Sequence, residues 1–402
     1  MEQASGFCQD FSCKMQMLLN QMVAGGQCAG ASIAVGRFGK LAVRCNSGWA
    51  DLETQDQICN QTLFQMHSLT KPVTAVAVMQ LWEKGCFQLE DPISKYIPAF
   101  ENVLVCHVLE DGREELLPAE NPITIHNLLT MTSGIPYGGT GLVGKGIKEL
   151  SDGMIESKKT GKPWDTLEYV NHLAQVPLLF EPSEKYKYGL GFDVLGALVE
   201  VCSGKRLDAY CQENIFSPLG MENATYMLPQ AQKHKLAVSY KKDSLAREHR
   251  TGTFSINAYT LDNTSYTSGG SGLICTLDDY FKFAKMLAGG GKTDAGEVLI
   301  SEKALQLMSE PRLNDTQLAS FPQTGDVCLH AAGYSYGFGV HVMNNPHNHL
   351  PVGEWGWAGT MGTWLSIDPK NEVFWVYAHQ ITPSDYGAYI PKISKLIYDS
   401  LR

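Results

Sequence analysis

Hydrophobic positions along this chain recur with two periods, and the periods occupy different stretches. Near the N-terminus Phe11, Met15, Leu18, Leu19 and Met22 keep helical spacing until Gly25-Gly26 interrupts, which predicts an opening amphipathic helix. Strand patterns follow at 31–35 and 41–45, flanking the turn-like Gly36-Arg37-Phe38-Gly39, and Leu41, Val43 and Cys45 alternate as a half-buried hairpin arm does. From about 72 to 287 the pattern is mostly helical and broken by Pro and Gly, with helices predicted at 125–130, 193–202 and 278–287. Strand patterns return at 336–343, 363–367 and 373–377, before a last helix around 390–401. Strands at both ends with helices between predict an α/β domain built from residues 1–66 and 330–402. A mostly helical domain, 67–329, is inserted into it, and a cleft is expected where the two meet.

Composition narrows the class. The 402 residues are 44% hydrophobic and 18% charged, enough to bury a large core. A net charge of −10 argues against nucleic acid as a partner, because phosphate binding needs clustered Lys and Arg. No window offers about 18 consecutive apolar residues, so no membrane span is expected, and the opening MEQASGFCQDFSCKMQ shows no secretory signal. The eleven cysteines lie scattered from Cys8 to Cys328 without a CxxC pair. They read as buried thiols in a reducing compartment, the cytoplasm. The eleven histidines form no HExxH, and His347-Asn348-His349 sits among Pro and Asn as surface polar residues. No metal or other cofactor is expected.

The chemistry-bearing candidate is Ser68-Leu69-Thr70-Lys71, which precedes an apolar run at 73–82 that stops at Gly85. Residues three apart on a helix share a face, with Cβ atoms about 5–6 Å apart, so a Lys71 ammonium can fold back onto the Ser68 hydroxyl. A helix N-terminus also favours developing negative charge. Lys71 would then act as base or electrostatic activator of a serine nucleophile. For the tetrapeptide alone, a helix-capping Ser68 with a solvated Lys71 is the alternative. Ser239-Tyr240-Lys241-Lys242 has the same spacing, but no apolar helix follows it.

The longer stretch His67-Ser68-Leu69-Thr70-Lys71-Pro72-Val73-Thr74-Ala75 resembles the nucleophile region of serine β-lactamases and penicillin-binding proteins. Leu128-Leu129-Thr130-Met131-Thr132-Ser133-Gly134 is similar to that family's LLTHTSG segment, and Pro218-Leu219-Gly220-Met221 to its PLGM turn. Gly270-Ser271-Gly272-Leu273, leading into Thr276-Leu277-Asp278-Asp279, resembles its GGL-x-ST-x-x-D stretch; all three read as packing and capping features. The segment from Tyr188 through Gly191-Phe192-Asp193-Val194-Leu195-Gly196 is similar to the Y-S-x-x-x-D-V-L-G string of the β-lactamase-like esterases. That alignment makes Tyr188 the candidate base, its phenol lowered by a nearby lysine cation.

For the third motif, Lys159-Thr160-Gly161 lies too early in the chain and Lys292-Thr293 runs on to Asp294. Trp357-Ala358-Gly359-Thr360, with Ile367-Asp368-Pro369 beyond it, resembles the W-x-G spacing of the esterase branch. The resemblance implies an oxyanion hole made by the backbone N–H groups of Ser68 and Thr360. Trp357 would line the pocket, and Gly359 would let a substrate approach the strand closely. Leu190 stands where many β-lactamases have an Asn, and Trp357 where they have a cation, and both changes favour neutral acyl compounds.

The expected fold is therefore β-lactamase-like, α/β plus α, with an antiparallel sheet flanked by helices. The expected function is a carboxylesterase or acyltransferase that takes a small acyl ester through an acyl-Ser68 intermediate. A β-lactamase or D-amino-acid peptidase is one alternative, and a catalytically silent binding protein of the same fold is another.

Overall fold

A computed structural model describes residues 6–242, 245, 265–321, 333–345 and 350–402, so His347, Asn348, His349 and Cys328 lie outside the described residues. The opening helix α1 runs Phe11–Ala24 and buries Phe11, Met15, Leu19 and Met22. Strands β1 (Gly30–Arg37), β2 (Lys40–Asp51) and β3 (Asp56–Gln57) follow, and then β4 (Leu63–Gln65) leads into helix α2 (Thr70–Glu83). The middle of the chain carries a hairpin, β5 (Leu104–Val108) and β6 (Glu114–Pro118), before helices α3 (Ile125–Leu129), α4 (Gly141–Lys159), α5 (Thr166–Leu173) and α6 (Gly191–Ser203). Short strands β7 (Tyr240–Lys241) and β8 (Ile274–Thr276) precede the helix Leu277–Ala288. The last part supplies β9 (Tyr334–Tyr336), β10 (His341–Met343), β11 (Trp355–Gly359), β12 (Thr363–Asp368), β13 (Val373–Ala378), β14 (Ile381–Thr382) and the C-terminal helix Tyr386–Asp399.

Eight strands form one antiparallel sheet in the order β3-β2-β1-β13-β12-β11-β10-β9. The N-terminal and C-terminal parts of the chain join where β1 pairs with β13, Ser32 opposite Ala378. Every residue of β1, β12 and β13 is buried, because both faces of the sheet are covered. On one face α1 and the C-terminal helix pack Phe11, Met15, Leu19, Ile393 and Ile397 against Ile33, Val35, Trp375 and Tyr377. On the other, the Leu277–Ala288 helix lays Phe281 on Phe374, ring centroids 5.0 Å apart. Double burial explains why β1 and β13 read as near-continuous apolar runs, whereas β2 keeps its alternation at Val43 and Cys45 but leaves Leu41 exposed.

The structure corrects two local expectations. The single strand expected at 336–343 is a hairpin: Gly339, with φ near +77°, reverses the chain, and the Gly337 N–H donates to the Val340 carbonyl at 2.8 Å. Burial of the cysteines is also only partial. Cys28, Cys45, Cys106, Cys211 and Cys275 are buried free thiols, but Cys13, Cys59 and Cys86 are exposed ones. Ser239-Tyr240-Lys241-Lys242 holds strand β7, paired with β14. Lys159 and Lys292 make surface ion pairs. Among the described residues no helix is long and apolar enough to cross a membrane.

The capping role expected at Thr276 is present, since its side chain accepts the Asp279 N–H at 3.1 Å and starts the helix that covers the sheet. Thr276→Ala is therefore expected to lower the unfolding free energy by about 1 kcal/mol, measured by urea denaturation.

Candidate active site

Ser68 lies in a single 3-10 turn, His67–Leu69, that runs directly into α2. His67 adopts a left-handed φ of 48°, a costly conformation for a residue with a side chain, and it presents the next residue at the head of the helix. The turn is pinned on several sides. Thr70 Oγ1 donates to the His67 carbonyl at 2.6 Å and accepts the Leu273 N–H at 3.0 Å, while Thr363 Oγ1 donates to the Met66 carbonyl at 3.0 Å. Helix α2 itself is apolar all round and buried through most of its length, so a helix charge has no route to water.

That burial defines the site, because Lys71 on α2 is 0% exposed. Its ammonium donates to Ser68 Oγ at 3.2 Å, to the Tyr137 hydroxyl at 3.0 Å and to the Gly270 carbonyl at 2.8 Å. Three acceptors satisfy its three protons. Burial pulls the Lys71 pKa down from the ordinary lysine value to about 7, although Asp193 pulls the other way. The Tyr188 ring lies under the same nitrogen, 4.6 Å from its centroid, and the Trp357 indole N–H donates to the Tyr188 hydroxyl at 3.2 Å.

Ser68, Lys71, Tyr188 and Trp357 thus form one cluster, drawn from α2, the loop before α6, and β11. Trp355 and Trp357 alternate with Gly356 along β11, and Trp357 is the one that meets Tyr188, whereas Trp364 packs with Trp375 on the opposite face of the sheet. Thr360 is half-buried in the turn that follows β11. The Tyr386 hydroxyl clamps that turn, accepting the Gly362 N–H at 3.1 Å and donating to the Gly359 carbonyl. Leu190 precedes α6 at the edge of the core and stands outside the Lys71 hydrogen-bond cluster.

Close packing also requires Gly359. A Cβ there would collide with the Met66 carbonyl and the Thr363 hydroxyl, so the glycine lets β11 close onto the nucleophile turn.

Two members of the cluster carry no signal of chemistry in the sequence, although Gly270 opens a stretch read as packing and capping. Tyr137 is a lone aromatic just past Ser133-Gly134, and it reaches Lys71 because residues 131–134 and 179–187 run together. The Leu179, Ser183 and Lys187 N–H groups donate to the Gly134, Thr132 and Met131 carbonyls. The Tyr137 and Tyr188 rings end 5.4 Å apart. Tyr137 is 39% exposed, but loss of water around its hydroxyl, which sits against Lys71, keeps the phenol above its ordinary pKa. Gly270 is the other, and it acts through its backbone carbonyl, which no side-chain motif reveals. Among the described residues no group of three His, Cys, Asp or Glu side chains is arranged to hold a metal ion.

Comparison with known proteins agrees with this architecture. The β-lactamase family model matches residues 15–395. The chain belongs to the β-lactamase family. It is 30% identical over 285 residues to the esterase EstB of Burkholderia gladioli, covering 67% of this chain and 68% of that one. It is 25% identical over 350 residues to the acyltransferase calJ of Penicillium decumbens, covering 83% and 78%. Among solved structures, EstCE1, described as a hydrolase with promiscuous acyltransferase activity, superposes with a TM-score of 0.76 at 23% identity, covering 97% of this chain and 99% of the other. That last likeness shows the fold.

Tyr188 is followed by Gly189, and a Cβ at Gly189 would run into the Ile135 carbonyl. This close approach holds the Tyr137 and Tyr188 loops together. Gly189→Ala is expected to cost about 1–3 kcal/mol in urea denaturation, because backbone and not a flexible side chain must give way.

Proposed function

We propose that this protein is a serine hydrolase of the carboxylesterase or acyltransferase type, working on small neutral acyl esters through an acyl-Ser68 intermediate. The observation that carries the reading is the Lys71 nitrogen, fully buried and 3.2 Å from Ser68 Oγ. With a pKa of about 7, roughly half of Lys71 is a neutral amine at neutral pH and can accept the hydroxyl proton. Ser68 Oγ then attacks the ester carbonyl carbon, and the carbonyl oxygen takes the negative charge beside the Ser68 and Thr360 N–H groups. Collapse breaks the bond to the alcohol, which leaves with the proton from Lys71, whose nitrogen lies over the Tyr188 ring. Water or a second alcohol then attacks the acyl carbon and gives its proton to Lys71; collapse breaks the bond between the acyl carbon and Ser68 Oγ, which takes that proton back as the acid or new ester leaves.

Tyr137 and Gly270 orient the lysine, and Trp357 orients Tyr188. Residues 1–66 and 330–402 supply the sheet side of the cleft, and 67–329 the helical side. The exposed thiols of Cys13, Cys59 and Cys86 fit a reducing compartment, and we place the protein in the cytoplasm.

Two measurements test this. A fluorophosphonate probe should add one mass, mapped to Ser68, and Ser68→Ala should abolish both labelling and turnover of short p-nitrophenyl esters. Retained turnover in that variant overturns the assignment. The second concerns substrate. Leu190 and Trp357 replace groups that would hold the amide and carboxylate of a lactam antibiotic, and a lost charge-assisted bond is worth about 1.5–3 kcal/mol, or one to two powers of ten. With the better leaving group of an aryl ester added, kcat/KM for the ester should exceed that for nitrocefin by at least about a hundredfold. Equal rates would transfer the reading to a β-lactamase.

A further inference from the structure

Asp193, in the first turn of α6, is 1% exposed. Buried carboxylates are costly unless they are hydrogen-bonded, and this one is held by the segment that supplies Gly270. Its Oδ1 accepts the Tyr266 hydroxyl at 2.5 Å, the Ser268 hydroxyl at 2.7 Å and the Gly270 N–H at 3.5 Å. Ser268 Oγ in turn accepts the Ser271 N–H at 3.1 Å, and Thr74 Oγ1 on α2 donates to the Gly269 carbonyl at 2.7 Å. The loop from 266 to 271 is thereby fixed between α6 and α2, and its Gly270 carbonyl is the acceptor for Lys71. Packing is tight, since a Cβ at Gly270 would stand 2.9 Å from Asp193 Oδ2 and 3.5 Å from the Tyr137 hydroxyl.

We propose that Asp193 is a positioning residue for the Ser68–Lys71 pair: its hydrogen bonds place the Gly270 carbonyl on the lysine nitrogen, and its buried negative charge favours the lysine's protonated form. The catalytic meaning of this rests on Lys71 being the base. The neighbours leave that charge its influence. Around Lys71, His67 is held neutral, its pKa lowered to about 4 by burial and by Lys71. Tyr137 is a neutral phenol, and Tyr188 presents its ring face. Around Asp193, burial raises the Tyr266 phenol well above its usual pKa, and Tyr169 packs on that ring, centroids 4.5 Å apart. Asp193 raises the pKa of Lys71 against the larger downward effect of burial.

The sign follows. Removing the charge lowers the Lys71 pKa, so the neutral amine survives to lower pH and the acid limb of kcat/KM moves down. NMR of the Lys71 side chain in protein carrying 15N-labelled lysine titrates it directly without needing access from solvent, and ester hydrolysis from pH 5 to 9 locates the limb. In Asp193→Asn both should fall by about half a pH unit or more, with plateau kcat reduced and KM little changed. Asp193→Glu should restore the limb, and Ser268→Ala, which removes the hydrogen bonds of the Ser268 hydroxyl to Asp193 and Ser271 but keeps the charge, should leave it in place. If Asp193→Asn does not fold, Asp193→Ser makes the same charge test. A Lys71 titration unchanged between parent and the uncharged variant overturns the proposal, since a purely structural carboxylate changes stability or plateau without moving the limb. A parent limb unrelated to the directly measured Lys71 pKa overturns Lys71 as base instead, and leaves the titration to decide on Asp193.

Discussion

A lysine enclosed at the head of a buried helix is the constraint on which the rest of this molecule depends. An ammonium removed from water needs acceptors for each of its protons, and Lys71 finds them on Ser68, Tyr137 and Gly270. Those three residues come from three separate stretches of chain. Each stretch must be held to within a few tenths of an ångström for the bonds to form, and the surrounding features meet that need. The capping box of Thr124 and Asn127 starts α3, and Asn127 Nδ2 also donates to Thr132 and Ser183, joining the two tyrosine-bearing loops. Asp193 and Thr74 secure the Gly270 loop.

The same arrangement explains why the site is placed between layers. The sheet contributes β11, closed onto the nucleophile turn at Gly359 and braced by Tyr386 from the C-terminal helix. The helical layer contributes α2 and the start of α6. Neither alone could surround Lys71, because a sheet face offers side chains on one side only and α2 needs cover on every side. Membership of the β-lactamase family agrees with this layered architecture.

Much of the fold was legible because periodicity survives wherever one face meets water. The spacing of Phe11, Met15, Leu19 and Met22 gives α1 within a few residues, and Gly85, at φ near +73°, marks the end of α2 as expected. Legibility failed where tertiary contact overrides local pattern. Residues 336–343 are all apolar enough for one strand, yet Gly339 turns them into two. The serine, lysine and tyrosine of the candidate site were readable as an ordered set of motifs. Tyr137 was not, since nothing local distinguishes a tyrosine that meets a lysine 66 positions away. Backbone groups such as the Gly270 carbonyl are silent in sequence altogether, and Asp193, though inside a quoted string, gains its meaning only from what folds around it.

The pairing that joins the two ends of the chain in the sheet, Ser32 with Ala378, has a consequence for how the chain is made. A ribosome synthesising it releases β1 and β2 long before their partner exists. The nascent hairpin must wait, its apolar edge unpaired, while the intervening helices emerge and pack. Contacts so distant along the chain close at a large entropic cost, which slows folding and prolongs exposure of that edge. The apolar strands that make the finished sheet secure are thus the segments most in need of chaperone shelter during translation.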